Sequence, residues 1–195
     1  MVVGLRERKK EATRDALVRS ALNQFDERGF DHVTVDDIAD ACDVSPRTFF
    51  RYFGSKEDVL FSDSDVHCDR IIEHLSHRAA DTSLIDALRD AVVSVADDYQ
   101  DQRDLIAVRH RVLQGTPSLQ SRASERGHSW ESRIVDELRP KKKLDAADEL
   151  RLRITVAAAT TALRVATEVW IDRGGKTELT VVLTDALDQL RKGVK

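Results

Sequence analysis

The chain has 195 residues, 41% hydrophobic and 34% charged, with a formal net charge of −4. Those proportions suit one subunit with a packed core, and they exclude a uniformly basic nucleic-acid coat while leaving room for a local basic footprint, because charge acts within about a Debye length. Few aromatics (5%), few Gly and Pro, and only two cysteines (Cys42 and Cys68) favour helices over a β-sandwich and rule out a disulfide framework.

The first element in chain order is a basic arm of Arg6, Arg8, Lys9, Lys10 and Arg14, suited to neutralising backbone phosphates. It leads into a helix over 12–28 with Leu17, Ala21 and Phe25 on one stripe, stopped at Gly29-Phe30. The next helix opens with a capping box, Thr34 with Asp37, and Val35, Ile38 and Ala39 make its apolar face. A turn falls at Asp43-Val44. A second short helix then starts with Ser45 as N-cap and Pro46 at the first helical position, where a missing N–H costs nothing.

That second helix carries the functional expectation. Arg47 and Thr48 project from its first turn, where a recognition helix touches base edges. Arginine can fork onto guanine O6 and N7, and threonine offers a hydroxyl and a methyl for thymine. Phe49 and Phe53 face inward, while Tyr52 and Lys56 are placed to reach phosphates. Ser55, with Asp58 three residues on, caps a further helix with no flexible linker between, so the head is expected to follow motions of the rest of the chain.

The run GFDHVTVDDIADACDVSPRTFFRYFGSKEDVL resembles the N-terminal domain of the TetR (tetracycline-repressor-like) family of bacterial transcriptional regulators. The resemblance covers roughly the first third of the chain. It implies an all-α homodimer with a three-helix helix-turn-helix head (1–56) and an antiparallel helical ligand-binding and dimerisation body (57–195). By position it implies that Arg47 and Thr48 read bases while Thr34, Ser45, Tyr52 and Lys56 hold or shape the backbone contact. Phe50 stands where family members often carry a Tyr; lacking a hydroxyl, it is expected to pack on sugar or a thymine methyl.

Every element after Ser55 reads as helix. One is expected over 83–100, opened by Ser83 and Asp86; a shorter one runs over 103–114 to Gly115; another starts at Thr116-Pro117 and stops at Pro140. The stretch 145–172 is apolar on more than one face, which calls for burial on several sides, and 177–192 is amphipathic. The family resemblance implies that these last two form a four-helix dimer bundle. Candidate ligand contacts are His110, Trp130 and Arg164, the last weighed against an i, i+4 ion pair with Glu168. His67, His74 and His77, with Cys68 and Asp63 nearby, raise a metal- or pH-sensing alternative, but their span of nearly three turns is too long for one ion without other ligands.

No GxSxG, HExxH or phosphate-cradling Gly loop is present, so no enzyme and no cofactor are expected. No apolar run approaches a membrane span and no signal-peptide core is evident, which points to the cytoplasm. The expectation is a repressor that binds an inverted-repeat operator in double-stranded DNA as a homodimer and is released by a small-molecule effector. A non-DNA-binding small-molecule carrier is the competing reading.

Overall fold

In a computed structural model of the chain, residues 4–79, 81–140 and 144–192 are described, and all their regular structure is helical. The α-helices are α1 (Leu5–Arg28), α2 (Val35–Asp40), α3 (Pro46–Phe50), α4 (Lys56–Leu60), α5 (Ser64–Ser76), α6 (Leu84–Val93), α7 (Ala96–Asp101), α8 (Arg103–Gly115), α9 (Pro117–Leu138), α10 (Ala146–Asp172) and α11 (Leu179–Lys192). They gather into two compact units. The first runs through Asp63 and takes in Asp104–Ala123; the second comprises Ser64–Arg103 and the chain from Ser124 onward. The segment Asp104–Ala123 therefore packs with the head, which the expected division at residue 56 did not anticipate.

In the first unit, α1 begins at Leu5, so the basic stretch is not a free arm but the opening turns of a helix. Nothing between Gly4 and Arg28 breaks it, and Lys10 pairs with Glu7 at 3.1 Å one turn away. At its end Gly29 takes φ +82 and donates its N–H to the Phe25 carbonyl, and Phe30 returns its ring to within 4.9 Å of Phe25. Leu17, Leu22, Phe25, Ile38, Phe49 and Val59 form the core, joined by Val112 from α8 and Leu119 from α9. Burying each such side chain contributes about 1.5–3 kcal/mol.

The second unit is organised around α10. Its Leu152, Val156, Ala159, Leu163, Ala166 and Trp170 recur at three- and four-residue steps, all buried, and it packs on α6 and α11. Leu88 and Val92 come from α6, and Leu179, Leu183 and Leu187 from α11. By length and composition α10 could cross a membrane, contrary to the sequence expectation, but its apolar stripe is the core of this unit. Its opposite side leaves Leu150, Ile154 and Val165 exposed, and α11 leaves Val181 and Leu190 exposed.

After α10 the chain turns through Gly174 and Gly175, both with positive φ. The Trp170 carbonyl accepts the Gly175 N–H at 2.9 Å, and the indole N–H donates to the Thr177 carbonyl at 2.7 Å. The helix expected over 83–100 is instead two, α6 and α7, parted at Ser94-Val95. There Ser94 Oγ donates to the Ala91 carbonyl at 2.6 Å, a local bond that competes with the helical ladder, and Asp97 and Asp98 favour a fresh first turn.

Candidate nucleic-acid interface

The site is built from α2, its turn and α3. Asp37 accepts the backbone N–H of Thr34 at 2.8 Å and its hydroxyl at 2.6 Å, while Thr34 Oγ1 accepts the Asp37 N–H at 3.1 Å. The Thr34 hydroxyl, then its backbone N–H, hold the Asp37 carboxyl down to about 2, with Arg28 adding a weaker pull from 3.3 Å. The turn closes on Asp43, whose φ of +53 is the only positive value outside glycine among the described residues. Aspartate tolerates that left-handed conformation better than most side chains.

Ser45 then caps α3, its Oγ accepting the Thr48 N–H at 3.2 Å, with Pro46 at the first helical position. Phe49 and Phe53 turn inward, rings 5.3 Å apart, and bolt the helix to the core. The outer face presents Arg47, Phe50 and Arg51, at i, i+3 and i+4, all exposed. Arg47 makes no hydrogen bond or ion pair among the described residues, so its guanidinium is free to meet a ligand. Phe50 is 55% exposed, an apolar ring held edge-on against Phe49 at 5.6 Å. Thr48 is half-buried with its hydroxyl 3.1 Å from Ser45 Oγ, which leaves its methyl as the freer group.

The remaining expected phosphate contacts divide. Tyr52 is half-buried and its hydroxyl accepts from Arg51 Nη2 at 3.3 Å. Lys56 is turned inward: Nζ donates to the carbonyls of Phe30 and Val33 at 2.8 and 2.9 Å and lies 4.3 Å from the Phe30 ring. On α1, Arg6, Arg8, Lys9 and Lys10 are exposed, but Arg14 is committed to the Ser62 carbonyl at 2.6 Å and Asp63 at 3.0 Å. Asp63 also accepts from Arg109 at 3.2 Å. Burial works to raise its carboxyl, and the two guanidiniums outweigh that and hold it below the usual carboxylate range. Arg51 was not among the expected site residues; the signal was its place one helical turn beyond Arg47.

The candidate ligand contacts are divided between the two units. His110 belongs to the first unit and is half-buried. Trp130 and Arg164 belong to the second. Arg164 is exposed and paired with Glu168 at 2.9 Å, so the ion pair weighed against a pocket role is the one that forms. Trp130 packs on the core of the second unit, and its buried Nε1 has no hydrogen-bond partner among the described residues. His67 is buried with its ring tilted against that of Tyr99, centroids 4.7 Å apart, whereas His74 and His77 are exposed, so the three do not converge. Burial pushes the Cys68 thiol up to about 11, away from the thiolate a metal needs. Among the described residues no group of His, Cys, Asp and Glu is placed to hold a metal ion.

Residues 17–62 match the profile of bacterial regulatory proteins of the tetR family, and 82–195 match that of the MftR C-terminal domain. The chain is 33% identical over 196 residues to the HTH-type transcriptional regulator TcmR of Streptomyces glaucescens, covering 96% of this chain and 87% of TcmR. Its fold is similar to that of FadR from Bacillus subtilis in complex with stearoyl-CoA, with a TM-score of 0.65 and 19% identity over 93% of this chain and 99% of that one. It is likewise similar to Thermus thermophilus FadR in complex with lauroyl-CoA, with a TM-score of 0.58 and 23% identity over 93% and 95% of the two chains.

Proposed function

Because the chain belongs to the TetR family of bacterial transcriptional regulators, we propose that it is a cytoplasmic homodimeric repressor that grips an inverted-repeat operator and lets go when a small molecule binds its second unit. The observation that carries the reading is the bare outer face of α3, where an unpaired arginine and an exposed phenylalanine are presented by a helix locked to its core. One such helix reads only a few base pairs. Two related by a twofold axis read half-sites about 34–36 Å apart in successive major grooves.

The exposed apolar residues of α10 and α11 support the dimer, since Leu150, Ile154, Val165, Val181 and Leu190 would otherwise meet water. The acyl-CoA complexes of the two FadR proteins support a small-molecule effector. Within the second unit Trp130 is the residue we assign to it, because its buried indole N–H still has a bond to give. An effector acts by binding one arrangement of the dimer more tightly than the other, and the operator affinity falls by that difference.

Selection of bound duplexes from a random DNA pool by the purified chain, followed by sequencing, tests the reading. Enrichment of an inverted repeat, bound by two chains, is expected. A pool that stays random at moderate salt would remove the repressor and leave the carrier.

A further inference from the structure

We propose that Gly127 is a bending point built into α9, held straight while the protein grips its operator, and that an effector reaching Trp130 acts by releasing it. The proposal rests on the repressor reading above. Gly127 lies midway along the 22 residues of α9, and among the described residues it is the only glycine inside a helix. Its φ is not left-handed, and a Cβ added there would meet nothing within 4 Å. Neither a turn nor close packing therefore calls for glycine, and alanine would hold the helix more firmly. What glycine supplies here is a weak place in the hydrogen-bond ladder, of the kind at which helices bend.

The residues around it agree. Leu119 anchors the start of α9 in the core of the first unit, while Ile134, Val135 and Leu138 anchor its end in the core of the second. From residue 120 to 133, about four turns, no residue is buried. That stretch reads QSRASERGHSWESR, with four serines and the glycine. Tertiary packing thus supports α9 least where its own propensity is lowest. Ion pairing changes at the same place. Arg122 reaches Glu57 of α4 at 3.8 Å, whereas Arg126, one turn later, reaches Asp65 of α5 at 3.2 Å. The helix is interrupted over 61–63 between those two partners.

Trp130 follows Gly127 by three residues, and its indole N–H has no hydrogen-bond partner among the described residues. A molecule that accepts from that N–H meets a different surface on the bent helix than on the straight one, so it binds the two unequally. Linkage is reciprocal: if the effector favours the bend, operator binding must oppose it. The bend is therefore measurable with the operator alone.

Hydrogen exchange of the full chain, free and saturated with the selected operator, is the experiment. A bend at Gly127 breaks the bonds from the N–H groups of residues 128–131 to the carbonyls four residues earlier. In the free chain these amides are expected to exchange at least about tenfold faster than those of 135–138, and operator should slow them about tenfold. Gly127→Ala should slow them about fourfold without any DNA. Asn23→Ala, a helix-strengthening change on the exposed side of α1, should leave them unaltered, although both variants melt higher. Uniform exchange along α9, equal slowing by the two substitutions, or an operator that binds yet leaves 128–131 unaltered would each overturn the proposal. A chain that binds no duplex overturns the repressor reading and the regulatory role with it, while exchange in the free chain still decides whether α9 bends at Gly127.

Discussion

The two units differ in what their outer surfaces leave unmatched. In the first, polar groups close short local circuits: Thr34 with Asp37, Ser45 with Thr48, Ser55 with the N–H of Asp58. What remains unspent is the outer face of α3. In the second unit Ser83 and Asp145 cap their helices in the same way and charged pairs such as Arg164–Glu168 and Arg153–Glu149 lie on the outside, but what remains unmatched there is apolar: Leu150, Ile154 and Val165 on α10. Reading a groove needs a rigid surface fixed by neighbours in sequence. Holding a partner and an effector needs surfaces assembled from distant segments. The difference sets what each kind of substitution should do.

The largest effect is expected where the second unit is exposed and apolar. Val165→Asp puts a charge on the uncovered side of α10, and size-exclusion chromatography with light scattering should show monomers where the unaltered chain is expected to run as the proposed dimer. Losing the second half-site should weaken operator binding at least about a hundredfold. A dimer that survives both Val165→Asp and Ile154→Asp would place the interface elsewhere.

Next is the turn after α10. Gly175→Ala forces a side chain into left-handed backbone at φ +61 and drives its Cβ against Arg103 Cδ, so that flexible side chain must move aside. The backbone alone costs about 1–2 kcal/mol, and calorimetry should register a melting point lower by several degrees. Operator affinity measured well below the transition should not change, since this turn belongs to the second unit.

A smaller loss is expected from Thr34→Ala, which removes the cap of α2 and should lower the melting point by roughly 2–4 °C. Acid titration sharpens this. Asp37 has a folded-state value near 2, below its ordinary 3.8, so its contribution is present above about pH 4 and is lost as pH falls toward 2. Thr34→Ala takes away the largest cause of that shift, and its stability should therefore fall less steeply over the same window. Equal slopes would remove the capping box from the account.

The smallest effect belongs to Arg164→Ala. An exposed i, i+4 pair contributes only about 0.2–0.5 kcal/mol, so melting and operator binding should both stay close to those of the unaltered chain. A large change in the response to an effector would return Arg164 to the pocket.

The sequence was most readable where chemistry is local. The Thr34 and Ser45 caps, the turn at Asp43 and the inward Phe49 and Phe53 all follow from neighbours within four residues, and all are present. Long side chains were less readable. Arg14 and Lys56 looked like phosphate contacts in a row of letters, but each found partners 23 to 49 residues away that only the folded chain supplies. Arg51 went unnoticed although its place one helical turn beyond Arg47 was readable; its contact with the Tyr52 ring was not. The split between α6 and α7 turned on one serine hydroxyl. In the second unit, periodicity gave the helices, whereas the unpartnered Trp130 N–H is a property of packing that no pattern reports.

The most direct test of the account is the ratio of affinities for the selected operator and a scrambled duplex, measured at one salt concentration for the unaltered chain and for Arg47→Ala. Loss of an arginine fork on guanine should cut that ratio about tenfold to a hundredfold while binding to the scrambled duplex changes far less. If both affinities fall together and the ratio holds, Arg47 only touches phosphate, and the outer face of α3 is not where this protein reads its sequence.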